Sequence, residues 1–111
     1  MDLNLVVLCG RVATEPELRV FESGASLVRI LMTIRTELPQ ARIDLIPVIV
    51  WDPPDQLRDG SIVAGDRIWV SGMLRRRFWM DTDSDNKRSR IEVIGQQITP
   101  VHGDEVPSPA G

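Results

Sequence analysis

Hydrophobic positions gather into five strand-like stretches separated by turn-forming residues. Residues 3–12 are nearly continuous in apolar side chains and read as a mostly buried strand. In residues 26–35, Val28, Ile30, Met32 and Ile34 face one way; Leu27, Arg29, Leu31, Thr33 and Arg35 face the other, because strand side chains alternate. Residues 43–51 are apolar on both faces, and Pro47, lacking an N–H, assigns them to an edge or a bulge. Residues 66–80 alternate again. Trp69, Ser71, Met73, Arg75, Arg77 and Trp79 share an outer face, and Ile68, Val70, Leu74 and Phe78 an apolar inner one. A polar turn at 81–87 leads to the last strand, 88–101.

The connections carry their own signals. Residues 13–25 hold Pro16 and a Ser23-Gly24 turn, and can pair as a short hairpin arm. Residues 36–42 loop around Pro39. Residues 52–65 open with Pro53 and Pro54, which suit a first helical turn. Leu57, Ile62, Val63 and Ala64 make an inward stripe there, which Gly60 weakens, so a short or broken helix is expected. Five strands with a short helix between the third and fourth predict an all-β, five-stranded OB-fold barrel over residues 1–101. Residues 102–111 (HGDEVPSPAG) read as a short disordered tail.

Composition narrows the classes. A chain of 111 residues holds one core. No apolar run approaches the roughly 20 residues of a membrane span, and no secretory leader opens the chain, so a cytoplasmic, nucleoid-associated protein is expected. Cys9 alone excludes an internal disulfide framework and reads as a buried, inert thiol. A net charge of −3 excludes a generally basic binder. The charge is unevenly placed, however: residues 51–66 hold four Asp against one Arg, and residues 67–90 seven cations against three Asp. Twelve of the thirteen cations are Arg, which forks onto phosphate and stacks on rings better than Lys does.

The stretch 72–90, GMLRRRFWMDTDSDNKRSR, therefore carries the candidate chemistry. Guanidiniums and indoles on one strand face suit a polyanion that also offers flat rings, and single-stranded nucleic acid is such a ligand. Trp51 and Trp79 are the candidate stacking platforms, and Arg75, Arg77, Arg29 and Arg35 the candidate phosphate contacts, with Arg11 and Arg88 beside them. The bland alternative is core tryptophans and a solvated basic face. Arg76 has the wrong parity, and Lys87 and Arg90 are weaker candidates at a loop mouth. Trp69, near the far end of its strand, is assigned to a subunit interface. Asp81, Asp83, Asp85 and Glu92 match positions 1, 3, 5 and 12 of an EF-hand calcium loop. Arg88 at position 8 and the strand-like flanks favour a polar hairpin turn instead, so no metal is expected. The only His, His102, falls beside the tail, and no phosphate-cradling Gly-rich loop is present. The chain reads as a non-enzyme without cofactor, small-molecule substrate or membrane partner.

Several segments resemble the bacterial single-stranded DNA-binding protein family. They are VVLCGRVATEPELR, the Ser23-Gly24 turn, IPVIVW with Trp51 at a usually aromatic position, GDRIWVSGMLRRRFWMD and NKRSRIEVI, spread over residues 3–101. The resemblance implies an OB-fold homotetramer that wraps single-stranded DNA, binding without sequence preference to protect it in replication, recombination or repair. Of the four aromatic positions that stack bases in the best-known members, Trp51 and Trp79 keep two, while Leu38 and Leu45 fall where the others would be. The family's Gly/Pro/Gln-rich linker and its acidic tip ending in Phe have no counterpart here, which suggests a short paralogue. Leu38, Leu45, Trp69 and the negative net charge motivate a second reading. On it, the chain is an adaptor that pairs with a full-length paralogue, or a primosomal-type dimer, and binds DNA weakly or not at all.

Overall fold

Strands rich in β-branched residues, the long ones kept in register by one-sided burial, build a sheet that closes on itself. The computed structural model describes residues 1–101. Its elements are β1 (Val6–Val12), β2 (Glu17–Val20), β3 (Ser26–Thr36), β4 (Arg42–Trp51), a helical turn α1 (Asp55–Arg58), β5 (Arg67–Met80) and β6 (Lys87–Pro100). β3 pairs antiparallel with β4, β4 runs parallel to β6, β6 pairs antiparallel with β5, and β5 with β1. β1 then meets β3 at Arg11↔Thr33 and Val12↔Met32, which closes the circuit. Gly10 makes that seam possible, because a Cβ there would strike the Thr33 carbonyl oxygen. β2 is an arm on β3. This is the expected all-β OB-fold. The tail expected at 102–111 lies outside the described residues.

The core is the inner face of that circuit: Val12, Val28, Ile30, Met32, Val48, Ile68 and Val70 are fully buried. Leu57 of α1 and Ile62 close one end. Polar contacts fasten this plug. Arg58 donates from Nε to the Pro53 carbonyl (3.1 Å) and from Nη2 to the buried Ser26 hydroxyl, and Gln56 Nε2 donates to the Ile98 carbonyl (3.1 Å). The helix is a single turn, with Pro54 as its N-cap and Pro53 outside it. Val63 and Ala64, expected to join the inward stripe, are exposed, because the chain unwinds at Gly60. The described helix is far too short to cross a membrane.

Four expectations change. The first strand begins at Val6 rather than residue 3, and most of it is half-buried, since its outer face has no covering element. Ahead of it, Asn4 clasps β5: its side-chain amide donates to the Leu74 carbonyl and accepts the Leu74 N–H, both at 2.8 Å. Cys9 is accordingly half-exposed rather than buried. Leu74 and Phe78, in turn, do not continue the apolar inner face. The β5–β6 ribbon outruns the core beyond Gly72, and Phe78 is 53% exposed. Lastly, β4 is an inner strand without a bulge rather than an edge, but its ladder with β6 holds only Val48 and Ile49, so Pro47 stands where β4 has no partner on that side.

A register shift in β6 has the widest consequences. Ser71 pairs with Gln97 but Gly72 with Gly95, leaving Gln96 as the extra residue of a bulge. Ile98 and Val93 have opposite parity, yet both face the core because of it.

Candidate nucleic-acid interface

The residues left facing outward by that alternation form one continuous surface across β2, β3, β4, β6 and the arm of β5. Directly opposed side chains share a face. The pairs Arg19↔Leu27, Glu17↔Arg29, Leu27↔Trp51 and Arg29↔Ile49 therefore lie together with Arg75↔Glu92, Arg77↔Arg90 and Trp79↔Arg88. At its centre is a groove of about 420 Å³ lined by Arg29, Trp51, Arg77, Arg90 and Glu92, with Arg19 and Phe21 on its rim. This is the size of a ligand pocket, typically ~300–1,000 Å³.

Trp51 is 49% exposed, and Phe21, from the turn after β2, stacks on it with ring centroids 5.9 Å apart and planes 24° from parallel. Trp79 is flanked by the guanidiniums of Arg77 and Arg90, 5.9 Å and 5.5 Å from its centroid. Among the described residues, Arg29, Arg75, Arg77 and Arg90 enter no ion pair; those seen are Arg35–Glu37, Arg42–Asp44 and Arg88–Asp81. The surface thus offers flat rings beside guanidiniums that form no ion pair among the described residues.

Trp51, Trp79, Arg29, Arg75 and Arg77 are brought onto this one surface. Arg11 and Arg35 line a second groove with Cys9, Thr33 and Arg67, and Arg11 donates to the Gly65 carbonyl at 3.0 Å. Arg88 shares the Trp79 end of the surface but is tied to Asp81. Leu45 lies on the outer face opposite Thr33, and Leu38 is 80% exposed. Trp69 is half-buried between Cys9 and Thr99, away from the groove. Sequence reasoning missed Arg19, Phe21 and Glu92 and ranked Arg90 low. Parity along the short arm is the signal for Arg19, but only the pairing of β2 with β3 and of β4 with β6 sets it beside the others.

The turn at the ribbon tip is held by Asp81. Its carboxylate accepts from the Asp83 N–H (3.1 Å), the Ser84 hydroxyl (3.1 Å) and Arg88 Nε (3.0 Å), and Asp85 takes the left-handed conformation. The Asp83 N–H above all, then Arg88 and Ser84, hold the Asp81 carboxyl below its ordinary value of 3.8. A depressed folded-state pKa stabilises the turn fully above the ordinary value, and that contribution is lost as pH falls through the lowered one. An NMR titration of side-chain carboxyl carbons will place the Asp81 midpoint below 3.8. Asp81→Asn will speed amide exchange at Asp83 and Asp85 at neutral pH. An Asp81 midpoint at or above the ordinary value contradicts this account.

A model of the single-strand binding protein family matches residues 3–101. A single-stranded DNA-binding protein 1 of Nostoc sp. is 29% identical over 104 residues, covering 87% of this chain and 87% of that protein. A single-stranded DNA-binding protein of Thermosynechococcus vestitus is 29% identical over 98 residues, covering 88% and 82%. Among solved structures, a Plasmodium falciparum SSB complex with ssDNA superposes with a TM-score of 0.79 at 21% identity, covering 91% of this chain and 97% of that one. At that identity the likeness speaks for the fold.

Proposed function

Because this chain belongs to the single-strand binding protein family, we propose that it binds single-stranded DNA with little regard to sequence and protects it during replication, recombination or repair. It acts as a binding protein, not an enzyme, in the compartment that holds the DNA. The observation that carries this reading is the grouping of Trp51, Phe21 and Trp79 with arginines that have no acidic partner, on one sheet surface. Arg29, Arg75, Arg77 and Arg90 neutralise phosphates, while Trp51 and Trp79 stack bases. Arg11 and Arg35, in the second groove of the same outer surface, extend the path of the strand.

The chain works as an oligomer on this reading. Leu74, Phe78, Met80 and Ile91 are large, apolar and exposed on the ribbon face turned away from Trp79. Further copies of the chain, as a homotetramer or homodimer, cover that strip, as a full-length paralogue also would. Trp69 belongs to the same class of covered surface. The exposed Leu38 and Leu45, which offer no ring, favour the adaptor reading as the alternative.

Tryptophan fluorescence during titration with oligo-dT decides between the two. Strong quenching that weakens as salt rises is the expected outcome, since stacking quenches indoles and phosphate contacts release counterions. A folded protein that shows no quenching at low salt leaves the adaptor reading.

A further inference from the structure

The floor of the groove holds a group that phosphate binding does not use. Glu92 is 5% exposed, and its Oε2 has no hydrogen-bond partner among the described residues. Arg29, Arg77 and Arg90 line the same groove, yet none forms an ion pair with it. Arg77 and Arg90 rest on the Trp79 ring instead, and Arg75, directly across the ladder, also leaves the carboxylate unpaired. The EF-hand spacing offers no other role, since Asp81 is occupied by the turn and by Arg88.

A buried acceptor without a donor is costly, and native proteins keep few of them. Glu92 lines a ligand-sized groove, so a ligand there can supply the donor once the side chain turns its carboxylate outward. A phosphate is the wrong ligand for it, because a carboxylate only accepts hydrogen bonds and repels an anion. The complementary group is a neutral, donor-rich ring edge, and the edge of a nucleobase fits that description. The four bases differ here. Thymine offers one imino N–H between two carbonyl oxygens. Cytosine and adenine offer an amino group beside a ring nitrogen that repels the carboxylate. Guanine alone sets two donors, N1–H and N2–H, side by side. Oε2 is enclosed in the unliganded conformation, so a rotamer change about the inner torsions of Glu92 brings both oxygens to the groove to meet them.

We propose that Glu92 reads a base edge: its carboxylate accepts from N1–H and N2–H of one guanine seated in the groove beside Trp51. Binding that is otherwise tolerant of sequence then favours guanine at one position per subunit. This rests on the single-strand binding reading and names a specificity-determining residue within it.

The test compares oligo-dT with the same oligonucleotide carrying isolated guanines, and with inosine in their place, on the wild-type protein and Glu92→Gln. Isolated guanines avoid self-association of the probe, and inosine removes the N2 amino group without touching the protein. Wild type will bind the guanine oligonucleotide about tenfold more tightly than oligo-dT. Inosine will lose much of that ratio, and Glu92→Gln will bring it close to one. Equal affinities in the wild type overturn the inference, as does a guanine preference that survives Glu92→Gln or that inosine reproduces in full. Binding of oligo-dT without preference leaves the single-strand binding reading standing, whereas failure to bind any of the three removes both.

Discussion

Replacing Arg75, Arg77 and Trp79 together with alanine will weaken binding of single-stranded DNA about a hundredfold at moderate salt. The three side chains share one face of β5, two residues apart, in the part of the strand that has outrun the core. Loss of the indole removes a stacking platform worth roughly 1–3 kcal/mol. Loss of the two guanidiniums removes two phosphate contacts, so the dependence of log affinity on log salt will flatten by about 1.4. Arg75 and Arg77 are exposed and the half-buried Trp79 lies on the ribbon beyond the core, touched by Arg77 and Arg90, so the melting temperature will fall by only a few degrees. Anisotropy titrations at several salt concentrations measure both quantities. Unchanged affinity would remove this surface as the binding site, and an unchanged slope would move the arginines off the phosphates.

Gly72→Ala will destabilise the fold by about 3 kcal/mol. Gly72 faces inward at the bulge, and a Cβ there would land on the Ile94 carbonyl, with the Gly95 Cα close behind. Both obstacles are backbone, so no side-chain rotation relieves them, and the ladder must open where β5 and β6 change register. Its neighbour Ser71 faces outward at the same step, and Ser71→Ala will stay within about 0.5 kcal/mol of wild type. Urea unfolding of the two variants gives the comparison. Equal midpoints would show that the bulge relaxes freely.

Much of the fold was legible because strand alternation is a local property of the chain. The burial of Val28, Ile30 and Met32 against the outward Leu27, Arg29 and Leu31 follows from period two alone. So does the outward line of Arg75, Arg77 and Trp79. The short arm at Glu17–Val20 and the broken helix were announced by Pro16, by Ser23-Gly24 and by Gly60. Where periodicity misled, at Leu74 and Phe78, the pattern itself was right but the core had ended: alternation gives the face of a residue, not whether anything covers it.

The grouping of residues into a groove is a different kind of fact. Arg19 and Phe21 join Trp51 and Arg77 because β2 folds onto β3 and β4 pairs with β6, and contacts between distant segments leave no periodic trace in the chain. Arg11 and Arg35 fall in a separate groove for the same reason. Glu92 is the sharpest case. Counted back from the buried Ile98 by twos, it should point into the core; one extra residue, Gln96, reverses the parity and sets the side chain in the groove lining. Composition and alternation thus settled the strands, their faces and the basic-aromatic character of the surface. The order in which the strands pair and a single bulge settled which of those side chains meet, because both are set across the sheet rather than along the strand.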